Sequence, residues 1–569
     1  MTMTQMKKAR LSTAIASALG AVAVISVPMA AMAQTPGDPI GFAPTGTGQV
    51  LIVPYYTTNG GWTTAINFTN VTNNALLVKV RFHEAQNSRD ILDFNVMMSP
   101  HDVWNGYLTP GLNEGDAPVF RTDDTTCTTP ALPAEGVPLS AMAFSGGNAD
   151  GGPTDNSRLA EGYIELMVIG ECRSDGACMT DFSTVVPDDD GIGYLTKHVA
   201  GMPRDCARAR AMSVADGNAG FPALGASFTG NQKHGAPAYR NSLGLYSGRG
   251  YGSVMSYAPL KGNISFVNSV NGQGGGVQAL HLDAVACNSQ AAPQGRVCGN
   301  QSANLVTAQS PDYFLEPTIA TMPNGLWDAR SLNLLESRFT WASVVNEWAD
   351  NADNAAYTDW IVNFPTKGFH VDQFCHIVQA NNNAWRNDGA NVLACAQDNS
   401  STARDERANY TAVLADGTRA TPSSMRLAPF NNLWAVGSDG IAKSAIRYSS
   451  AIFDREEGGA IADSPIFSPG GSAQAELKFE TNVIRFATNE EDAPLQSIMS
   501  ARFDAQDALG NADALYGWMD LQFSGVSGTP GANPFVGLPV YGFVMKNRAK
   551  EGRTLNYAQM LDHGYNWSR

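Results

Sequence analysis

Between Val50 and Met98 apolar side chains fall at every second position, and short polar clusters break the run into pieces. Val50 to Thr57 reads as one strand, Trp62 to Val71 as a second after Gly60-Gly61, and Leu76 to Ala85 as a third after Asn73-Asn74. In the third, Leu76, Val78, Val80 and Phe82 share one face, while Lys79, Arg81 and His83 share the other. A period of two with one polar face predicts a half-buried antiparallel strand with its charges in water. Leu92, Phe94, Val96 and Met98 give a fourth strand a matching apolar face. Four short strands with turns at close spacing predict a β-sandwich, immunoglobulin-like or jelly-roll. The first strand, "VLIVPYYT", is expected to be an open edge able to pair with a neighbouring subunit.

The pattern lapses over about 105–157, where Gly, Pro, Asp and Thr dominate, and this segment reads as a long surface insertion. Strand patterns return at "EGYIELMVIGE", "GNISFVNSV" and "GGGVQALHLDAVAC", with a short helix expected in "MPRDCARARAMSV". After residue 300, "ASVVNEW", "TDWIVNFPT", "SAIRYSSAIFD", "AELKFETNVIRFA", "LYGWMDLQF" and "LPVYGFVMKN" read as strands, interrupted by a loop-rich insertion at about 374–432. One core rarely serves more than ~250–300 residues. The expectation is therefore a mainly β chain of two adjoining antiparallel sandwiches, 34–300 and 301–569, with few short helices.

Residues 1–33 have the layout of a secretory signal peptide: Lys7, Lys8 and Arg10, an apolar stretch from Leu11 to Pro28, and Ala31-Met32-Ala33 before Gln34. No later run is apolar for long enough to span a bilayer as a helix. The expected destination is the outer cell surface or the medium rather than the periplasm. Removing residues 1–33 takes away three cations and no acid, moving the formal charge from −16 to −19. That balance disfavours nucleic acid as a partner and favours divalent cations. Charged residues are 16% of the chain, against about 25% in average domains, so neutral hydroxyls and amides are left to solvate much of the surface.

Eight cysteines in an exported chain predict disulfides. None forms a C-x-x-C pair, which removes the zinc-ribbon and thioredoxin readings. Proximity pairs Cys287 with Cys298 and Cys375 with Cys395, leaving Cys127, Cys172, Cys178 and Cys206 to pair among themselves.

No nucleophile elbow, P-loop, dinucleotide fingerprint or H-E-x-x-H motif is present. "FHVDQFCH" offers His370, Asp372 and His376 as transition-metal ligands, since imidazole with carboxylate suits zinc or iron. Oxygen-rich loops offer structural calcium sites at Asp188, Asp189 and Asp190, at Asp350, Asp353 and Asp359, and at Asn148, Asp150 and Asp155. Solvated turns account for the same residues equally simply. "IFDREEGG" places Asp454, Glu456 and Glu457 at a strand end, where paired carboxylates could serve glycoside hydrolysis. Trp62, Trp104, Trp341, Trp348 and Trp360 could then stack sugars, or could simply fill cores.

The stretch Val53–Trp104, "VPYYTTNGGWTTAINFTNVTNNALLVKVRFHEAQNSRDILDFNVMMSPHDVW", resembles a group of uncharacterised exported or cell-surface proteins of Gram-negative bacteria. "EGYIELMVIGE", "TDWIVNFPTKGF", "IFDREE" and "LPVYGF" extend the likeness over most of the chain. The resemblance implies a surface location and a β-rich fold, and it carries no reaction and no catalytic residue. The function expected is a non-enzymatic structural or adhesive protein that needs no cofactor, self-associates with divalent cations or binds a cell-surface polymer. The alternatives are a secreted polymer-active hydrolase and a module binding glycans or hydrophobic ligands.

Overall fold

The computed structural model describes residues 41–42, 46–146, 149–172, 174, 179–181, 190–214, 258–283, 336, 339–351, 356–371, 429–430, 432–455, 459–462, 476–486, 497–501, 506–508, 515–523, 537–548 and 557–566. The protein is mainly β, built from several antiparallel sheets. The alternating segments become strands close to where the pattern puts them. They are β1 (Val50–Thr57), β2 (Trp62–Asn70), β3 (Ala75–Glu84), β4 (Asp90–Met98), β6 (Glu161–Cys172), β7 (Leu260–Asn268) and β8 (Gln273–Gln278), while β5 (Val103–Thr109) forms where the pattern puts the start of the insertion. The helix expected in "MPRDCARARAMSV" spans Cys206–Val214.

A seven-stranded sheet runs Gly41–Phe42, Leu280–Asp283, β1, β6, β3, β4, Cys127–Thr129. A six-stranded sheet runs β8, β7, β2, β5, Val119–Arg121, Val137–Pro138. Every pairing in both is antiparallel. An eleven-stranded sheet is built wholly from residues after 340. At its centre β9 (Ala356–Asn363) lies between β10 (Thr481–Phe486) and β11 (Tyr541–Arg548). Thr481–Phe486 also pairs in parallel with Gln506–Ala508.

Four features depart from the sequence pattern. First, β1 is not an edge: β6 flanks it on one side and Leu280–Asp283 on the other, and all eight of its residues are buried. Second, β3 is buried on both faces. Val78, Val80 and Phe82 share a cluster with Phe68, Trp104 and Phe120 from the six-stranded sheet. The opposite face adds Ala75 and Leu77 to a cluster with Trp348, Trp360 and Phe364. Third, the 105–157 segment is woven into the sheets, since Cys127–Thr129, Val119–Arg121 and Val137–Pro138 each extend one and Phe120, Leu139 and Phe144 are buried. Short polar strands at sheet edges lack a long alternation, which is why the pattern hides them. Fourth, the three large sheets keep to one side of residue 300, but both hydrophobic clusters draw on both sides of it. Backbone pairing therefore divides the chain where side-chain packing does not.

Gly162 on β6 shows how tightly the seven-stranded sheet is drawn together, because a Cβ there would stand 1.9 Å from the His83 carbonyl oxygen and 2.8 Å from the Tyr56 ring. A disulfide joins Cys127 to Cys206, 79 residues on, tying a strand of this sheet to the Cys206–Val214 helix. Cys172 is disulfide-bonded as well. The Cys127–Cys206 bond agrees with pairing within the first four cysteines, while Cys178, Cys287, Cys298, Cys375 and Cys395 lie outside the described residues.

Candidate functional site

Two polar regions stand out, a closed cluster of ions and a pocket. The cluster follows from strand register. Arg81 on β3 faces Asp93 on β4 and Glu165 on β6, while His83 faces Asp90 and Tyr163. Arg81 donates from Nε to Asp90 Oδ1 at 2.9 Å and from Nη2 to Asp90 Oδ2 at 2.5 Å. Lys79 Nζ is 3.4 Å from Asp93 Oδ1. His83 lies 3.0 Å from Asp90 and 3.4 Å from Glu165, stacked on the Tyr163 ring at 4.6 Å. Burial alone would lower the His83 pKa, but the Glu165 and Asp90 carboxylates raise it to about 10, so the imidazole is a cation at neutral pH. Burial would likewise raise Asp90, yet Arg81 and His83 bring it to about 2. In the Lys79–Asp93 pair burial opposes both charges, taking Lys79 down to about 8 and Asp93 up to about 7.

Arg158 forms a second knot one strand end away. It donates to Glu84 through Nε at 2.8 Å and Nη2 at 2.9 Å, and to Asp150 through Nη1 and Nη2, both at 2.7 Å. Its guanidinium lies over the Phe144 ring at 4.5 Å. Glu84 in turn accepts from the backbone N–H groups of Gln86, Asn87 and Arg89, fixing the β3–β4 turn. The Arg158 knot is closed to solvent and its carboxylates are fully hydrogen-bonded, which suits holding a fold, while in the β3 cluster Asp93 and Glu165 meet their cations only as ion pairs at 3.4–3.5 Å.

The pocket lies where the eleven-stranded sheet meets the β7–β8 hairpin and has a volume of about 260 Å³. One face of the C-terminal strands grades from apolar to polar to make it. Ile361 on β9, Val483 on β10 and Phe543 and Met545 on β11 enter the hydrophobic core. Two residues along, the same alternation presents Tyr357, Asp359, Arg485 and Asn547 to the pocket. Asp359 faces Arg485 across the strand pair and accepts from Met499 N–H at 2.9 Å. Burial raises its pKa to about 6, against the backbone bonds from Met499 and Ile498. From the other side comes Gln273, the first residue of β8. The preceding turn is folded by Asn268 Oδ1 accepting from Val270 and Asn271 N–H, and by Gly272 at φ +68. Gln273 is 4% exposed, and its Nε2 finds no partner in the protein. Asn547 Oδ1 is buried and equally unpartnered.

The residues singled out from sequence have other roles. His370, on the short helix Lys367–Val371, meets Glu336 Oε1 at 2.6 Å, while Asp372 and His376 lie outside the described residues. Asp190 is held by Arg208 at 2.9 Å, and Asp188, Asp189, Asp353 and Asn148 are not described. Asp150 belongs to the Arg158 knot, and Asp155 caps the turn Asn156–Ala160 by accepting from Ser157 N–H. Asp350 and Asp359 both sit on strands. Among the described residues no three His, Cys, Asp or Glu side chains are grouped to hold a metal. Asp454 ends a strand beside Arg455, which lies over the Tyr516 ring at 4.3 Å, and Glu456 and Glu457 are not described. Trp62, Trp104, Trp341, Trp348 and Trp360 are all buried and fill the cores.

Neither Gln273 nor Asn547 carries a sequence signal. The ion cluster does carry one: Lys79, Arg81 and His83 at alternate positions, followed after one turn by Asp90 and Asp93, describe two hairpin strands of opposite sign. No family model, curated protein or solved structure matches the chain.

Proposed function

We propose that the protein is an exported, non-enzymatic component of the cell surface, structural or adhesive in role, with its two N-terminal sheets packed as a β-sandwich. The exposed face of the six-stranded sheet is the observation that carries this reading. Thr63, Ala65, Asn67 and Thr69 of β2 line its centre, partly exposed. Asn67 lies between Asn263 of β7 and Asn105 of β5, both exposed, and donates to the Asn105 side chain. A face whose centre is short and neutral, with Lys261 beside Thr69 the cation next to it, can be laid against a polymer or a second copy without stripping water from many charges. The leader-like residues 1–33 and the Cys127–Cys206 disulfide fit an exported chain. Among the described residues no helix is long and apolar enough to cross a membrane.

The test pairs surface labelling of intact cells with negative-stain microscopy of the purified protein, in calcium and in chelator. Label on the cell exterior together with ordered assemblies, or binding to isolated cell-wall polymer, is the expected result. Dissolution of the assemblies in chelator would add divalent cations as the link between acidic surfaces. Dispersed monomers, no polymer binding and a periplasmic location would overturn the proposal.

A further inference from the structure

We propose that the pocket between β9, β10, β11 and the β7–β8 hairpin is a binding site for one neutral saccharide unit. The inference does not depend on assembly, since a monomer in either location could carry such a site.

Charge chemistry narrows the ligand first. Asp359 and Arg485 are opposite ions facing one another across adjacent strands. Each offsets the other, so the pocket presents little net charge to attract an anion or a cation. What remains is amide and hydroxyl: Gln273, Asn271 and Asn547, with Tyr357 and Ser500 beside them. A saccharide ring carries adjacent hydroxyls that both donate and accept. The pocket offers an unfilled donor at Gln273 Nε2 and an unfilled acceptor at Asn547 Oδ1.

Other buried polar atoms also lack a partner, among them both oxygens of Asp93 and of Glu165, but Gln273 and Asn547 are set apart because they line a cavity a ligand can enter. A buried amide group without a partner costs about 1–3 kcal/mol, which a hydrogen-bonding ligand in the cavity would recover. Gln273 is placed with care all the same, at the foot of a turn whose backbone is tied by Asn268. Ser500, on the far wall, adopts φ +56, a strained value for a residue with a side chain. The segment around it is pinned by Trp62 Nε1 donating to the Ile498 carbonyl at 3.0 Å and by Met499 N–H donating to Asp359. The wall is therefore rigid, which limits the entropy lost on binding. Size narrows the ligand last. A volume of about 260 Å³ is just under the ~300–1,000 Å³ of drug-sized pockets, which admits a single ring and not an oligosaccharide.

Ligand-observed NMR on the full chain, with methyl glycosides of glucose, galactose, mannose and N-acetylglucosamine, is the test. At least one should bind saturably. Gln273→Met and Asn547→Leu should each weaken that binding about tenfold, the factor for one lost hydrogen bond, with melting temperature held or raised. Should either core variant fail to fold, Asn271→Ala on the exposed hairpin turn replaces it and should weaken binding without touching stability. Silence from all four glycosides would overturn the inference. So would binding that survives all three substitutions, or binding of free glycine and glutamate in place of the glycosides.

Discussion

The ion cluster along β3 and the pocket beside β9 both withdraw charged side chains from water, and they differ in what is left over. Around Arg158 four donor contacts reach two carboxylates, and one of those carboxylates goes on to hold three backbone N–H groups. Around Asp359 the ions face each other but the amides of Gln273 and Asn547 do not close the circuit. The Arg158 knot is hydrogen-bonded throughout, and what sets Gln273 and Asn547 apart from the unpartnered Asp93 and Glu165 oxygens of the β3 cluster is that they line a cavity and have no ion facing them. Burial and shifted titration are common to both and separate nothing.

The largest effect that would break this contrast is at Arg158. Arg158→Met strands Glu84 and Asp150 as unpaired buried carboxylates, so unfolding in denaturant should fall by roughly 3–5 kcal/mol. A loss under about 1 kcal/mol would mean that water reaches the knot.

Titration separates the two regions by pH window. His83 rises from 6.5 in the open chain to about 10 in the folded one, so its stabilising contribution is complete below 6.5 and fades as pH climbs to about 10. Relative to His83→Gln, the wild type should lose stability across that interval at up to ~1.4 kcal/mol per pH unit, the slope of one proton. Asp359 rises from 3.8 to about 6, so its contribution is complete below 3.8 and fades up to about 6. Asp359→Asn should therefore gain on the wild type at up to ~1.4 kcal/mol per pH unit between those values and then run parallel to it. Melting curves taken at pH steps read both, and coincident windows would show that the regions titrate as one network.

The smallest expected change sharpens the contrast most. Gln273→Met should leave stability within about 0.5 kcal/mol of the wild type or raise it, because the amide it removes has no partner in the fold. A loss of more than about 2 kcal/mol would place Gln273 with the saturated groups.

The strands were legible because alternation is local. Val50–Thr57 stands where the pattern puts it, and Trp62–Asn70 and Ala75–Glu84 within one residue. What covers each strand was not legible, because that is settled by residues far along the chain. The polar face of β3 reads as solvent-facing until the second half of the protein is packed over it, and Arg158 reaches Glu84 across 74 residues of sequence. The same distance hides the pocket: Gln273 and Asn547 are 274 positions apart and unremarkable where they stand. Asp359 was visible as an acid near other acids, but its neighbour of consequence, Arg485, comes from another strand.

The alternating cations of β3 also bear on folding in a crowd, when many copies fold together and incomplete sheets can join wrongly. Two copies of "KVRFH" side by side would bring Lys79, Arg81 and His83 against their own kind, which repels, while the acidic strand β4 follows on the same chain after a short turn. A slip of one residue within the correct hairpin would turn all three cations into the hydrophobic cluster of Phe82 and Phe94. The row of charges thus acts as a proofreader of strand choice and alignment, before any of its members has been shut away from water.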